Sequence, residues 1–200
     1  MTQSVATHLA PGLADPVFGS QTVFRTLLDA LSAPGKVFTL RDDLAGAPAG
    51  LPTAAASILL TLADYETPVL LPEGYDETRH WLAFHSGAPA ASSKANARFA
   101  LIDAAAPDPQ LDAFHLGDDR YPDTSTTVIV LCEALSGGFP QTLSGPGIQT
   151  TTSFAPLGVH PSLWGEITKN NALFPLGVDL IFVAGSSLAG LPRTTQIAGA

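Results

Sequence analysis

The chain has one cysteine, Cys132, one methionine at its start, and nine basic side chains against 18 acidic ones in 200 residues. A lone thiol closes no disulfide within the chain and holds no iron–sulfur cluster by itself, because such clusters take several thiolates. Placed inside the apolar run TVIVLCEAL, it reads as a small hydrophobe in a protein of a reducing compartment. The shortage of cations leaves a net charge of −9. That charge repels phosphate backbones and anionic lipid at range, so neither nucleic acid nor a membrane surface is an expected partner. No apolar run approaches the roughly 20 residues that span a bilayer. The opening MTQSVATHLAPGLADPVFG lacks the basic head and apolar core of a secretory signal. A soluble, cytoplasmic protein is expected. Charged residues make up only 14% of the chain, while 46% are hydrophobic. This exceeds what a solvated monomer needs, so part of the apolar surplus is expected to meet another protein.

What is there reads as one α/β domain. Residues 1–19 carry Pro11, Gly12, Pro16 and Gly19 without a steady period and read as an extended arm that drapes over a partner, leaving residues 20–200 as the domain. After Ser20, taken as an N-cap, Phe24, Leu27, Leu28 and Leu31 fall on one helical face. A second helix is expected over residues 53–64, with others near 108–115 and 161–171. Strands are expected at KVFTL, VLLP, HWLAFHS, FALID, TSTTVIVLCEAL, QTLSG and VDLIFVAG. Fully apolar runs such as VIVLC and LIFVA imply strands covered on both faces, hence a layered mixed sheet with helices on either side.

Few residues announce chemistry. Gly145-Pro146-Gly147-Ile148-Gln149-Thr150 begins like a dinucleotide fingerprint, but Thr150 stands where a small residue is needed and Pro146 removes an N–H from the cradle, so it reads as a tight turn after a strand. There is no P-loop. His80 and His85 do not share a strand face or a helical face, and His8, His115 and His160 stand alone, so no metal site is expected. Asp42-Asp43 and Asp118-Asp119 suit turns and caps. Lys94, in AASSKANARF, is one of three lysines and could carry a pyridoxal phosphate Schiff base, although an exposed loop has the same composition. Arg193, followed by Thr194 and Thr195, closes the most apolar stretch of the chain. A guanidinium held stiffly after Pro192 beside two hydroxyls could hold phosphonate oxygens, a partner's carboxylate, or an ordinary ion pair.

Taken together, FRTLLDALSAPG, SILLTLADYETPV, FHSGAP, LSGPGI and FPLGVDLIF…LPRTT resemble the PhnH family, the H subunit of the bacterial carbon–phosphorus lyase system. The match runs from about Phe24 to Thr195. The resemblance implies a fold similar to pyridoxal-phosphate-dependent transferases but without the cofactor. It also implies a homodimer that joins a larger assembly with subunits G, I and J, where phosphonate or ATP would be bound. Family members act with subunits G, I and L to couple a phosphonate to the ribose C1 of ATP with loss of adenine, and a separate radical subunit, J, later cleaves the carbon–phosphorus bond. No catalytic residue carries over from the family. The expected contacts to anion or partner are Arg193, Thr194 and Thr195, near the Gly145 to Gly147 turn, with Arg25 as a further candidate. The alternatives are a stand-alone transferase using pyridoxal phosphate on Lys94, or an anion-binding module with no enzymatic partner.

Overall fold

Strands without polar alternation must be covered on both faces, and VIVLC and LIFVA lie at the centre of the main sheet. The computed structural model describes residues 9–41 and 45–198; His8, Asp42 and Asp43 lie outside them. The helices are α1 (Pro16–Ser32), α2 (Thr53–Leu62), α3 (Asp76–Ser86) and α4 (Pro161–Ala172). The main sheet contains β1 (Phe38–Thr39), β2 (Val69–Leu70), β3 (Phe99–Asp103), β4 (Thr127–Leu131), β7 (Asp179–Ala184) and β8 (Ser187–Leu191), in the order β1-β8-β7-β4-β3-β2. Strands β2, β3, β4 and β7 run parallel, whereas β8 is antiparallel to both β7 and β1. A smaller antiparallel sheet is formed by β5 (Gln141–Ser144), β6 (Thr152–Phe154) and β9 (Gln196–Ala198), in the order β6-β5-β9.

The strand period of two sends alternate residues to opposite cores. On one face Leu101, Ile129, Ile181 and Val183 meet Val23 and Leu27 of α1, Ile58 and Leu59 of α2, and Trp81 and Leu82 of α3. On the other face Val128, Val130, Leu180 and Phe182 meet Leu143, Phe154, Leu163, Trp164 and Ile167. There Trp164 stacks on Phe182 at 5.8 Å while Phe154 meets Phe182 edge-on at 5.2 Å, an arrangement that suits the ring quadrupoles.

Three expectations are corrected. Helix α1 begins at Pro16, before Ser20, because Asp15 accepts from the backbone N–H of Val17 and Phe18 at 3.0 Å and proline is preset for the first helical position. Ser20 is inside the helix and donates its hydroxyl to the Pro16 carbonyl. The buried stripe of α1 is Gly19, Val23, Leu27 and Ala30, so Phe24 and Leu28 remain 46% and 51% exposed. The reason lies in β8: a Cβ at Gly190 would sit 2.6 Å from the Ala30 carbonyl oxygen. An approach that close admits only the small-residue face of the helix.

The second correction concerns HWLAFHS, which is helical within α3. Thr78, Trp81 and Leu82 are its buried positions, at i, i+3 and i+4, with Asp76 and Glu77 in the first turn. The helix expected near 108–115 is a single 3-10 turn, Leu111–Ala113. Strands β6, β8 and β9 had no counterpart among the expected strands. Of the N-terminal arm, residues 9–15 lie on their own domain: His85 Nε2 pairs with the Ala10 carbonyl at 3.0 Å, and Trp81 Nε1 donates to Pro11 at 3.3 Å. Among the described residues no helix is long and apolar enough to cross a membrane.

Candidate functional site

The β7–β8 hairpin returns the chain so that Leu191 pairs with Leu180, which carries Arg193 back to Asp179. The Arg193 backbone N–H donates to Asp179 Oδ1 at 2.9 Å, Nε donates to the same oxygen at 3.2 Å, and Nη2 donates to Oδ2 at 2.5 Å. Nη2 also donates to Ser125 Oγ at 2.5 Å, and Nη1 donates to the carbonyls of Pro122 at 2.9 Å and Pro175 at 3.3 Å. A guanidinium has five N–H groups, and these five contacts engage all of them. The side chain is only 10% exposed. In this geometry the donors face protein oxygens, leaving none for a phosphonate. Arg193 is a clamp that ties the start of β7, the loop before β4 and the loop after α4 into one edge.

Its neighbours complete the turn. Thr195 N donates to the Pro192 carbonyl at 2.9 Å, and Asn171 Nδ2 donates to the Arg193 carbonyl at 2.8 Å. Thr194 is half-buried; Thr195 is 1% exposed, and its hydroxyl has no hydrogen-bond partner among the described residues. The Gly145 to Gly147 segment lies beside this turn, as the sequence suggested, because Ser144 of β5 pairs with Gln196 of β9. Ile148 N donates to the Gly145 carbonyl at 3.1 Å, which closes the tight turn. Gly145 has φ +123 and a Cβ there would be 2.9 Å from the Thr194 carbonyl; one at Gly147 would be 2.2 Å from that of Ser32. Both positions therefore require glycine for backbone reasons. Arg25 is not gathered to the turn along the helix axis: it is exposed on α1, about 10 Å from Ser32 at 1.5 Å per residue.

Lys94 is also engaged. Its ammonium donates to the Pro109 carbonyl at 2.8 Å and lies 5.3 Å from the centre of the Phe114 ring, so it fastens one loop to another. His160 caps α4 by accepting from Ser162 N at 3.2 Å, and His115 pairs with Thr124 Oγ1 at 3.2 Å.

Open parallel sheets present their crevices at the carboxyl ends of the strands, the opposite edge from Arg193. Two cavities lie there, of about 550 and 380 Å³, with Glu133 lining both. The smaller is bordered by Glu73, Tyr75, Asp103, Cys132 and Glu133. Burial, and then the Asp103 carboxylate, push the Cys132 thiol up to about 12. The same two causes raise Tyr75. Both groups are therefore protonated near neutrality, so the thiol is no nucleophile, and three carboxylates share the crevice. Such a lining repels phosphonates and triphosphates. None of these residues forms a recognisable spacing in sequence, because β2, β3 and β4 bring them together from separate segments.

The remaining outward features are apolar. Along α1, Val17, Phe24 and Leu28 are exposed, Leu31 is half-buried, and Gln21 completes a 4-3-4-3 spacing. That is the spacing of a helix-pairing seam. Elsewhere Tyr121, Leu173 and Phe174 are 59%, 42% and 61% exposed.

Fold and surface define a class: a mixed-sheet α/β protein with an apolar outer helix face and a cation-poor crevice. Within that class the chain belongs to the PhnH family, since the model of the bacterial phosphonate metabolism protein (PhnH) matches residues 11–198. It is 42% identical over 186 residues to the alpha-D-ribose 1-methylphosphonate 5-triphosphate synthase subunit PhnH of Rhizobium meliloti (strain 1021), covering 92% of each chain. It is 36% identical over 181 residues to HtxG of Stutzerimonas stutzeri, named as a C-P lyase subunit protein, covering 88% of this chain and 85% of that one.

Proposed function

We propose that this chain is a subunit of a phosphonate-processing synthase. The assembly couples a phosphonate to the ribose C1 of ATP with release of adenine, and the chain works in the cytoplasm beside subunits G, I and L, ahead of the radical subunit J. The observation that carries this reading is the end-to-end identity of 42% to a chain that is itself named a synthase subunit. The crevice chemistry supports it: an acidic lining with a protonated thiol suits a part of an assembly better than a self-contained anion site. The chain's role in the coupling is to complete the assembly that holds two mutually repelling anions in place.

We read the fold as similar to pyridoxal-phosphate-dependent transferases but without the cofactor; the Lys94 ammonium, engaged by the Pro109 carbonyl and the Phe114 ring, supports the second part of that reading. The homodimer is assigned to the α1 stripe. Its exposed charges, Arg25 and Asp29, cancel, so a second copy of an acidic chain is not repelled there. The test is omission. Adenine release from ATP and methylphosphonate is expected with G, I, L and this chain together, and to be lost when this chain is left out. Brisk turnover by the isolated chain would overturn the reading, as would a yellow protein bleached by borohydride.

A further inference from the structure

Arg193 does more than close a turn. Its Nη1 donates to the carbonyls of both Pro122 and Pro175, so two loops from distant parts of the chain meet at one nitrogen. Gly177 N, donating to the Leu116 carbonyl at 2.9 Å, joins the same two loops a second time. Each loop ends in an exposed apolar side chain next to its clamped proline: Tyr121 before Pro122, and Phe174 with Leu173 before Pro175. The first loop is ordered further. Asp118 Oδ1 accepts from the backbone N–H of Arg120 and Tyr121 at 2.8 Å, and Thr124 Oγ1 donates to the Tyr121 carbonyl at 2.8 Å. Rings exposed on loops held this firmly lose little entropy when covered, which is the property of a prepared docking surface.

The rim identifies the occupant. Asp118, Asp119 and Asp123 are exposed around Tyr121, with Arg120 as the accompanying cation, while Lys169 on the preceding helix is engaged with Glu166 at 2.8 Å. Exposed carboxylates beside Tyr121 disfavour a second copy of a chain of net charge −9. The same surface attracts a segment with a hydrophobic anchor flanked by Lys or Arg. We infer that the Tyr121, Leu173 and Phe174 surface, held in shape by Arg193, docks a basic, apolar-anchored segment of another polypeptide of the assembly. This rests on the subunit reading above and adds to it where, and by what chemistry, a partner is met.

The experiment measures association of the purified chain with co-expressed G, I and J subunits at low and high salt, alongside self-association by sedimentation. Tyr121→Ala with Phe174→Ala is expected to weaken association by about tenfold or more, with melting unchanged. Asp119→Asn with Asp123→Asn is expected to weaken it by roughly fivefold at low salt and to flatten its salt dependence. Arg193→Lys tests positioning: lost association in a folded chain supports the clamp. A wild-type chain that joins no subunit overturns the subunit reading and this inference with it. A wild-type chain that joins, with variants that join equally well at both salts, overturns this inference alone. Variants that lose self-association assign the surface to a second copy and overturn it too.

Discussion

Arg193 shows how far one residue's role depends on where its donors end up. A guanidinium after a proline and before two threonines has the right composition for an anion site, yet β7 and β8 place Asp179 against it before any ligand can compete. Arg193→Ala would leave Asp179, the Pro122 and Pro175 carbonyls and Ser125 short of a donor. A loss of about 2–3 kcal/mol is expected, reduced from a fully buried pair because Asp179 keeps some contact with water. Thermal denaturation should show a fall of roughly 5–10 °C for a chain of this size. The double variant with Asp179→Ala should cost less than the sum of the two single ones. Cys132 supplies a second test at this scale. Its thiol titrates near 9.0 when unfolded and near 12 when folded, so the folded chain holds the proton more tightly. Stability from this group is therefore complete below pH 9 and declines as pH rises toward 12. Cys132→Ser should remove that decline in alkaline melting curves, and alkylation of the native thiol should stay slow until well above pH 9.

At the scale of the element, α1 has two apolar faces, and only one belongs to the core. Leu27 is 5% exposed and Leu28 51% exposed, one residue apart. Leu27→Ala should cost about 2–4 kcal/mol in the isolated chain, as a cavity against β8 and α2 would. Leu28→Ala should change the monomer's stability by no more than about 0.5 kcal/mol. Its effect is expected in the sedimentation profile, where the proposed dimer would shift toward monomer. Equal destabilisation by the two would mean that the stripe is ordinary packing. Periodicity alone could not separate these faces, because Phe24, Leu28 and Leu31 repeat as regularly as Val23, Leu27 and Ala30. The choice was made by Gly190, whose missing Cβ admits the Ala30 backbone. In α3 the error had another source. HWLAFHS contains helical and alternating patterns at once, and the helix-start signal that decides between them lies upstream, in the acidic first turn of Asp76 and Glu77.

For the whole molecule, acidity and greasiness act together. A net charge of −9 keeps the chain away from other polyanions, while its outward apolar faces need cover. The double-sided core explains why so much of the fold was readable. Strands β3, β4 and β7 are buried on both faces and leave apolar runs rich in large side chains, whereas β8, SLAGL, is as long and as buried as β3 but opens on serine and carries a glycine, so it does not announce itself as a strand. The crevice was unreadable for a related reason: Tyr75, Asp103 and Glu133 are brought together by parallel strand order, which no local spacing encodes.

Composition and segment order by themselves determined the α/β class, the central strands and the acidic character, because burial pattern and charge are sums over residues and need no coordinates; the PhnH resemblance was carried by specific motifs in a fixed order. Only the tertiary structure decided which face of α1 is core, that Arg193 is a clamp, and which aromatics stand outward on ordered loops. Each of those depends on contacts between residues far apart in the chain, and such contacts exist only once the strands have paired.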